Sequence, residues 1–164
     1  MIRFVTTFGF VGLLRPAPGT WGSAVAVAAA LAIDYLLGFW VLVAATAAVT
    51  ALGFWACGRA LADRPGEDPG EIVIDEVAGQ WLALLFPAAA FWNMGLHDWA
   101  LAAYPGWVAA FVFFRLFDIW KPWVIGRADR RNDPAGVMLD DLWAGVFAGV
   151  ATVVAAGVSH GLLM

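Results

Sequence analysis

Paired acidic residues stand where two apolar stretches of the chain begin. Asp75 and Glu76 precede the nearly uncharged stretch 77–92, and Asp140 and Asp141 precede the last apolar stretch. The helix dipole favours acidic side chains in a first helical turn, so a purely structural role explains each pair locally. Carboxylates beside long apolar stretches also mark cavities or cation sites in membrane proteins. Both pairs are therefore candidate metal ligands.

A second motif places basic and acidic residues at steps of three. Arg115, Asp118 and Lys121 would share one face of a helix at this spacing. The structural interpretation is a charge ladder at the end of a membrane crossing, with Trp120 and Trp123 as interface anchors. Guanidinium and ammonium groups also bind phosphate oxygens. The motif therefore supplies candidate phosphate ligands and one further carboxylate.

A third motif is the proline- and glycine-rich segment from Arg15 to Ser23. Its prolines prevent a helix before Pro18, and Thr20 or Ser23 is expected to cap the helix that follows. A capped interfacial turn explains this pattern structurally. Hydroxyl and backbone donors at a glycine-rich helix start also suit a phosphate group. Arg130, farther along the chain, is a further candidate phosphate ligand.

Carboxylate oxygens suit Mg²⁺, and a divalent cation beside phosphate-binding residues is typical of phosphoryl transfer or hydrolysis. Neither cysteine nor histidine is expected to supply the nucleophile. Cys57, the single cysteine, lies in an apolar run and is expected to be unreactive. His97 and His160 are expected on the opposite side of the membrane. We favour metal-activated water, and a carboxylate nucleophile such as Asp118 or Asp140 stays open.

The composition of the chain is that of a membrane protein. Hydrophobic residues make up 63% and charged residues 13%, against roughly 45–50% and about 25% in soluble domains. The ten tryptophans suit the membrane–water interfaces. No basic stripe suggests nucleic acid. We predict an all-α, polytopic helical bundle with about five transmembrane or membrane-embedded helices.

The 164 residues are expected to form a single domain. The first two apolar stretches together are too long for one crossing and are predicted to form a hairpin that turns near 34–38. The N-terminal segment 1–14 is a candidate interfacial helix. The predicted spans are 21–37, 38–62, 77–92, 101–117 and 142–163.

Five crossings would place all nine lysines and arginines on one side of the membrane. The other side would carry Asp34, His97 and Asp98 and no lysine or arginine. The excess of positive charge predicts that the motif-bearing face is cytoplasmic, with the N-terminus inside and the C-terminus outside. A phosphate site at the membrane surface points to a lipid phosphate.

The chain resembles the phosphatidylglycerophosphatase A family from about Thr7 to Gly149. The matching motifs are Pro18-Gly19-Thr20-Trp21-Gly22-Ser23, Ile74-Asp75-Glu76 with Gly79-Gln80-Trp81, Phe114-Arg115 with Asp118 and Trp120-Lys121-Pro122-Trp123, Asp129-Arg130, and Met138-Leu139-Asp140-Asp141 with Ala144-Gly145. The resemblance implies a Mg²⁺-dependent phosphatase of the bacterial inner membrane. Such an enzyme hydrolyses the terminal monoester of phosphatidylglycerophosphate to phosphatidylglycerol and phosphate, a step of phospholipid biosynthesis.

We therefore assign roles to the polar residues as predictions. The expected metal ligands are Asp75, Glu76, Asp140 and Asp141; the expected catalytic carboxylates are Asp118, Asp140 and Asp141; the expected phosphate-binding residues are Arg115, Lys121, Arg130, Thr20 and Ser23. Two other functions stay as alternatives: a cation- or proton-coupled membrane transporter, and a structural subunit whose charges form a docking surface.

Overall fold

The structure is a computed structural model that describes residues 1–64, 67, 69–96 and 103–163, with side chains as far as Ser159. The described residues form helices and no strand, so the all-α prediction is confirmed. The helices are α1 (Ile2–Thr6), α2 (Pro18–Leu37), α3 (Phe39–Ala60), α4 (Ile74–Asn93), α5 (Tyr104–Trp120), α6 (Trp123–Asp129) and α7 (Pro134–Leu163), with a 3₁₀ turn at Val11–Leu13.

Some sequence predictions fall on positions outside the described residues. These are His97, Asp98, the side chain of His160 and the first residues of the predicted span 101–117.

Helices α2 and α3 form a hairpin whose turn is a single residue, Gly38. Its φ of +89° lies in the left-handed region, which a residue without a Cβ atom adopts at little cost. Helix α2 begins at Pro18, whose fixed φ suits the first helical position. Because the helix starts there, Ala17 precedes it and no side chain caps it. The prediction that Thr20 or Ser23 caps α2 is wrong.

Helix α4 lies at the centre of the bundle and contacts α2, α3, α5 and α7. Its most extensive interface is with α7. At this interface two glycines face each other: a Cβ atom on Gly79 would overlap the backbone oxygen of Asp141, and one on Gly145 would overlap the backbone of Gly79. The absence of side chains at these two positions therefore allows the close approach of α4 and α7.

Helix α7 starts eight residues before the predicted span 142–163. Asp140 and Asp141 consequently lie within a helix and not in the loop that leads to it. Asp75 and Glu76 occupy the first turn of α4. Both acidic pairs are thus held by regular backbone, which fixes the directions of their side chains.

Among the described residues, three helical segments are long and apolar enough to cross a membrane: α2, α3 and residues Pro134–Ser159 of α7. Helices α4 and α5 occupy the other two predicted spans. Large apolar side chains remain exposed on the outer surface of the bundle, among them Leu36, Trp40, Val112, Leu116 and Val154. An exposed apolar surface of this kind suits lipid and not water. The protein is therefore a membrane protein built as a helical bundle.

Candidate active site

Three carboxyl groups meet where α4 and α7 approach each other. One oxygen atom from each of Asp75, Glu76 and Asp141 lies within 4.8 Å of the others. We call these three residues the acid cluster. Asp75 and Asp141 are only 6% and 4% exposed. Buried carboxylates at such distances repel one another strongly unless a cation or a proton neutralises them.

Helix α5 adds a fourth carboxyl group to the edge of the acid cluster. The side chain of Asp118 lies within hydrogen-bonding distance of the Asp141 carboxyl group. On its other side, Asp118 Oδ2 lies 2.6 Å from Arg115 Nη1, so the two residues form an ion pair across one helical turn. Asp118 therefore links the acid cluster to the guanidinium group.

Arg115 lies beside the acid cluster. Besides its ion pair with Asp118, its Nη1 atom donates a hydrogen bond of 3.5 Å to Ser23 Oγ. Its Nε atom is buried and has no hydrogen-bond partner among the described residues. Arg115 therefore retains a donor with which it could bind an incoming anion.

The start of α2 covers one side of the site. A Cβ atom on Gly19 would overlap Glu76 Oε1 and lie 3.2 Å from Arg115 Nη1, so only glycine leaves room for both groups. Ser23 is fully buried, and its hydroxyl donates a 2.8 Å hydrogen bond to the Gly19 carbonyl oxygen. Thr20 is exposed. Of the two predicted hydroxyl donors, Ser23 forms a hydrogen bond with another predicted site residue, Arg115.

Asp140 and Lys121 form a separate pair beside the acid cluster. Lys121 lies in the left-handed region with φ +49°, which ends α5 and takes its side chain off the face that carries Arg115 and Asp118. Its Nζ atom donates hydrogen bonds to Asp140 Oδ2, at 2.7 Å, and to Asp129. Burial lowers the pKa of Lys121, but the hydrogen bonds and the negative charges of Asp129 and Asp140 together raise it more, so its pKa lies above the ordinary value.

The predicted site residues therefore divide into two groups. The structure brings together Asp75, Glu76, Asp141, Asp118, Arg115 and Ser23. Asp140, predicted as a metal ligand, is instead held by Lys121, itself predicted to bind phosphate. Arg130 is exposed at the end of α6.

Gln80 is a buried polar residue for which the sequence predicted no role. Gln80 is fully buried in α4, and neither its Nε2 nor its Oε1 atom has a hydrogen-bond partner among the described residues. The sequence offered two signals for Gln80. It is an amide in an otherwise apolar span, and it lies four residues after Glu76. The glycines at 19, 79 and 145 were visible in the motifs, but their contacts required the fold.

The donor set of the acid cluster fits a hard divalent cation. All its groups are carboxylate oxygens, the ligand type that Mg²⁺ prefers. Glu76 Oε2 is buried and has no hydrogen-bond partner among the described residues. A buried carboxylate oxygen without a partner is costly in free energy, and a cation would remove that cost. Asp75, Glu76 and Asp141 are therefore the residues that could hold a metal ion.

A basic cavity of about 660 Å³ flanks the start of α2. Arg3, Arg15 and Arg64 line it together with Glu71, which pairs with Arg3 at 3.1 Å. The cavity also includes Pro18, the residue before Gly19. It therefore adds positively charged groups at the same end of the bundle as the acid cluster.

Comparison with known proteins places the chain in a family. The phosphatidylglycerophosphatase A family matches residues 4–156. The phosphatidylglycerophosphatase A of Haemophilus influenzae is 36% identical over 138 residues, which cover 84% of this chain and 77% of the relative. The protein of the same name from Escherichia coli is 36% identical over 146 residues, covering 85% and 75%.

A third relative carries a different name. A protein of Bacteroides thetaiotaomicron, provisionally named a phosphatidylinositol-3-phosphatase, is 37% identical over 144 residues, 85% of this chain and 83% of the relative. No solved structure matches the chain. The family match nevertheless spans nearly the whole sequence and includes both the acid cluster and Arg115, which confirms the resemblance seen in the motifs. The chain belongs to the phosphatidylglycerophosphatase A family.

Proposed function

We propose that the protein is a Mg²⁺-dependent phosphatase that hydrolyses the terminal phosphomonoester of phosphatidylglycerophosphate to phosphatidylglycerol and phosphate. The reaction would serve phospholipid biosynthesis at the cytoplasmic face of the bacterial inner membrane. The observation that carries this proposal is the acid cluster beside Arg115, buried at one end of a membrane bundle. Family membership and the names of two relatives support the substrate.

In this proposal Asp75, Glu76 and Asp141 hold the metal ion, with Asp118 as a further ligand or general base. When bound, Mg²⁺ supplies positive charge for the phosphoryl oxygens and makes a coordinated water molecule more acidic. Arg115 binds phosphate oxygens through its unpartnered Nε atom and through Nη1. The bound cation and Arg115 would both stabilise the negative charge on the phosphoryl oxygens during transfer.

The contacts of the two candidate carboxylate nucleophiles favour water as the attacking group. Asp118 forms an ion pair with Arg115. Asp140 Oδ2 accepts a hydrogen bond from Lys121, and its Oδ1 accepts one of 3.0 Å from the Asp141 backbone N–H. Hydrogen-bonded and ion-paired carboxylates are weaker nucleophiles than free ones. We therefore keep metal-activated water as the proposed nucleophile.

The positions of the helix ends support a cytoplasmic site. The beginnings of α2, α4 and α7 and the end of α5 meet at the acid cluster, and the chain's lysines and arginines are concentrated near these ends. The positive-inside rule assigns such an end to the cytoplasm. Phosphatidylglycerophosphate presents its phosphates at the membrane surface, the depth at which helix ends lie. Neither alternative, the transporter or the structural docking subunit, gains support from the relatives.

The test is phosphate release by the purified protein in detergent, with and without Mg²⁺. Three substrates separate the possibilities: phosphatidylglycerophosphate, phosphatidylinositol 3-phosphate and phosphatidate. We expect Mg²⁺-dependent release that is fastest from phosphatidylglycerophosphate and is lost in an Asp75→Asn variant. Release that is faster from phosphatidylinositol 3-phosphate would assign the chain the activity named for its Bacteroides relative. Release from none of them would contradict the proposal.

A further inference from the structure

Gln80 is a buried amide whose polar atoms are left without partners. It is 0% exposed, and neither Nε2 nor Oε1 has a hydrogen-bond partner among the described residues. An unsatisfied buried amide is destabilising, and replacing it with an apolar side chain of similar shape is usually neutral or stabilising. The fold itself therefore gives no reason for glutamine at this position. A role in ligand binding would explain the cost.

The position of Gln80 on α4 relates it to the acid cluster. It follows Glu76 by four residues, so the two side chains share one helix face with Cβ atoms about 5–6 Å apart. In a helix the Cα–Cβ bond tilts towards the N-terminus, so a long side chain covers the preceding turn. For Gln80 the preceding turn is that of Glu76. This geometry directs the Gln80 side chain towards the turn of α4 that carries Glu76.

The unpartnered atoms of the two residues are complementary. Glu76 Oε2 is a buried acceptor without a partner, and Gln80 Nε2 is a buried donor without a partner. Gln80 Oε1 is a spare acceptor, and Mg²⁺ usually retains several water molecules that must donate hydrogen bonds. Groups that orient metal ligands and bind metal-coordinated water strongly affect metal affinity.

We propose that Gln80 is a positioning residue of the metal site: when the divalent cation is bound, its Nε2 donates a hydrogen bond to the Glu76 carboxylate and its Oε1 accepts one from a water molecule of the hydrated cation. This role deepens the proposed function and rests on it. The water molecule that Gln80 binds is a different one from the metal-activated water that attacks the phosphate. Gln80 acts through Glu76 and through the hydration of the cation.

The experiment measures Mg²⁺ binding without relying on catalysis. The melting temperature of the detergent-solubilised protein is recorded over a series of Mg²⁺ concentrations, since a ligand that binds only the folded state stabilises it. Gln80→Met and Gln80→Leu remove the amide and keep a side chain of similar length or shape. Thr152→Val is the matched control, because Thr152 is also buried but donates only to Ala148 of its own helix.

We expect both Gln80 variants to need about 10- to 100-fold more Mg²⁺ for half-maximal stabilisation, the range found for outer-shell partners of metal ligands. Their melting temperatures without Mg²⁺ should equal or exceed that of the wild type, because an unsatisfied amide has been removed. Thr152→Val should keep the wild-type Mg²⁺ dependence. The concentration of Mg²⁺ needed for half-maximal phosphate release should shift in parallel with the stabilisation.

Two outcomes would overturn the role of Gln80. One is wild-type Mg²⁺ dependence in the Gln80 variants. The other is a lower melting temperature without Mg²⁺, or failure of both variants to fold, since either would show that Gln80 supports the fold itself. A wild-type protein that neither binds Mg²⁺ nor releases phosphate from lipids would instead contradict the proposed function itself.

Discussion

Asp140 and Asp141 are neighbours in the sequence, but their carboxyl groups have different partners. Asp141 belongs to the acid cluster, and Asp140 is held by Lys121. Successive residues of a helix differ by about 100° in direction, so one of two adjacent side chains can enter a site while the other faces away. The sequence motif predicts the pair, and the structure gives the two carboxyl groups different surroundings.

This difference gives a prediction for two matched variants. Asp141→Asn should raise the Mg²⁺ concentration for half-maximal activity by more than about 100-fold, beyond the loss typical of an outer-shell partner. Asp140→Asn should raise it by about tenfold or less, because Asp140 lies outside the acid cluster. Titration of phosphate release with Mg²⁺ measures both values. Equal losses in the two variants would place Asp140 among the ligands, as the sequence suggested.

Arg115 gives a second prediction about a single residue. Arg115→Lys keeps the positive charge but removes the planar guanidinium with its Nε donor. Loss of one charge-assisted hydrogen bond to phosphate, about 1.5–3 kcal/mol, predicts a fall in kcat/KM of about 10- to 100-fold. Arg127→Lys is the control, because Arg127 is exposed on α6. Activity of Arg115→Lys equal to that of the control would remove Arg115 from phosphate binding.

How far the site was predictable differs from residue to residue. Asp75, Glu76, Asp118 and Arg115 could be named as candidates because charges are conspicuous beside long apolar stretches, and the structure brings these four side chains together. Lys121 was assigned to the face of Arg115 by its spacing, but its left-handed backbone ends the helix before the third step. Pro122 signals that the helix ends near Lys121, but the left-handed conformation and the hydrogen bonds of Lys121 Nζ to Asp129 and Asp140 required the fold.

At the scale of helices, the acid cluster depends on how closely α4 approaches α7. Asp75 and Glu76 come from one helix and Asp141 from the other, so a change in their spacing changes the distances between the carboxyl groups. Gly79 and Gly145 provide the contact surface, and each would overlap the opposite backbone if it carried a Cβ atom. Backbone cannot move aside as the end of a flexible side chain can.

Gly145→Ala should therefore separate α4 from α7. We expect a loss of stability of about 1–3 kcal/mol, as for overpacked interiors, and a larger proportional loss of activity, because the acid cluster is pulled apart. Gly157→Ala lies on the same helix with open space around its Cβ position, so it should be neutral or stabilising. Thermal unfolding and phosphate release compare the two. Matching stability and activity in both variants would contradict the importance of the close approach.

The helices themselves were more predictable than their contacts. Apolar composition over about 20 residues indicated α2, α3 and α7, since a helix that faces lipid must be apolar around most of its surface. The start of α7 at Pro134 was missed because Asp140 and Asp141 look like the end of a loop when their burial is unknown. Helix pairing leaves almost no trace in composition, and only the glycines of the motifs hinted at it.

At the scale of the whole molecule, the proposed function requires all parts of the site to face the cytoplasm. The two ends of α4 test on which side of the membrane the site lies. Asp75 and Glu76 lie in its first turn, and Met94, which is 60% exposed, follows its last residue. Arg127 on α6 is exposed near the acid cluster's end of the bundle. If α4 crosses the membrane, Met94 and Arg127 lie on opposite sides.

Cysteine labelling tests this arrangement in the intact protein. Cys57, the single cysteine, is first replaced by alanine, and Met94→Cys or Arg127→Cys is then introduced. A membrane-impermeant maleimide should label position 94 in right-side-out vesicles and position 127 only in inverted vesicles. Phosphate release by each variant shows that the fold is retained. If both positions react from the same side, α4 does not cross the membrane. If position 127 reacts from outside, the acid cluster faces away from the cytoplasm, where the proposed biosynthetic substrate would be made.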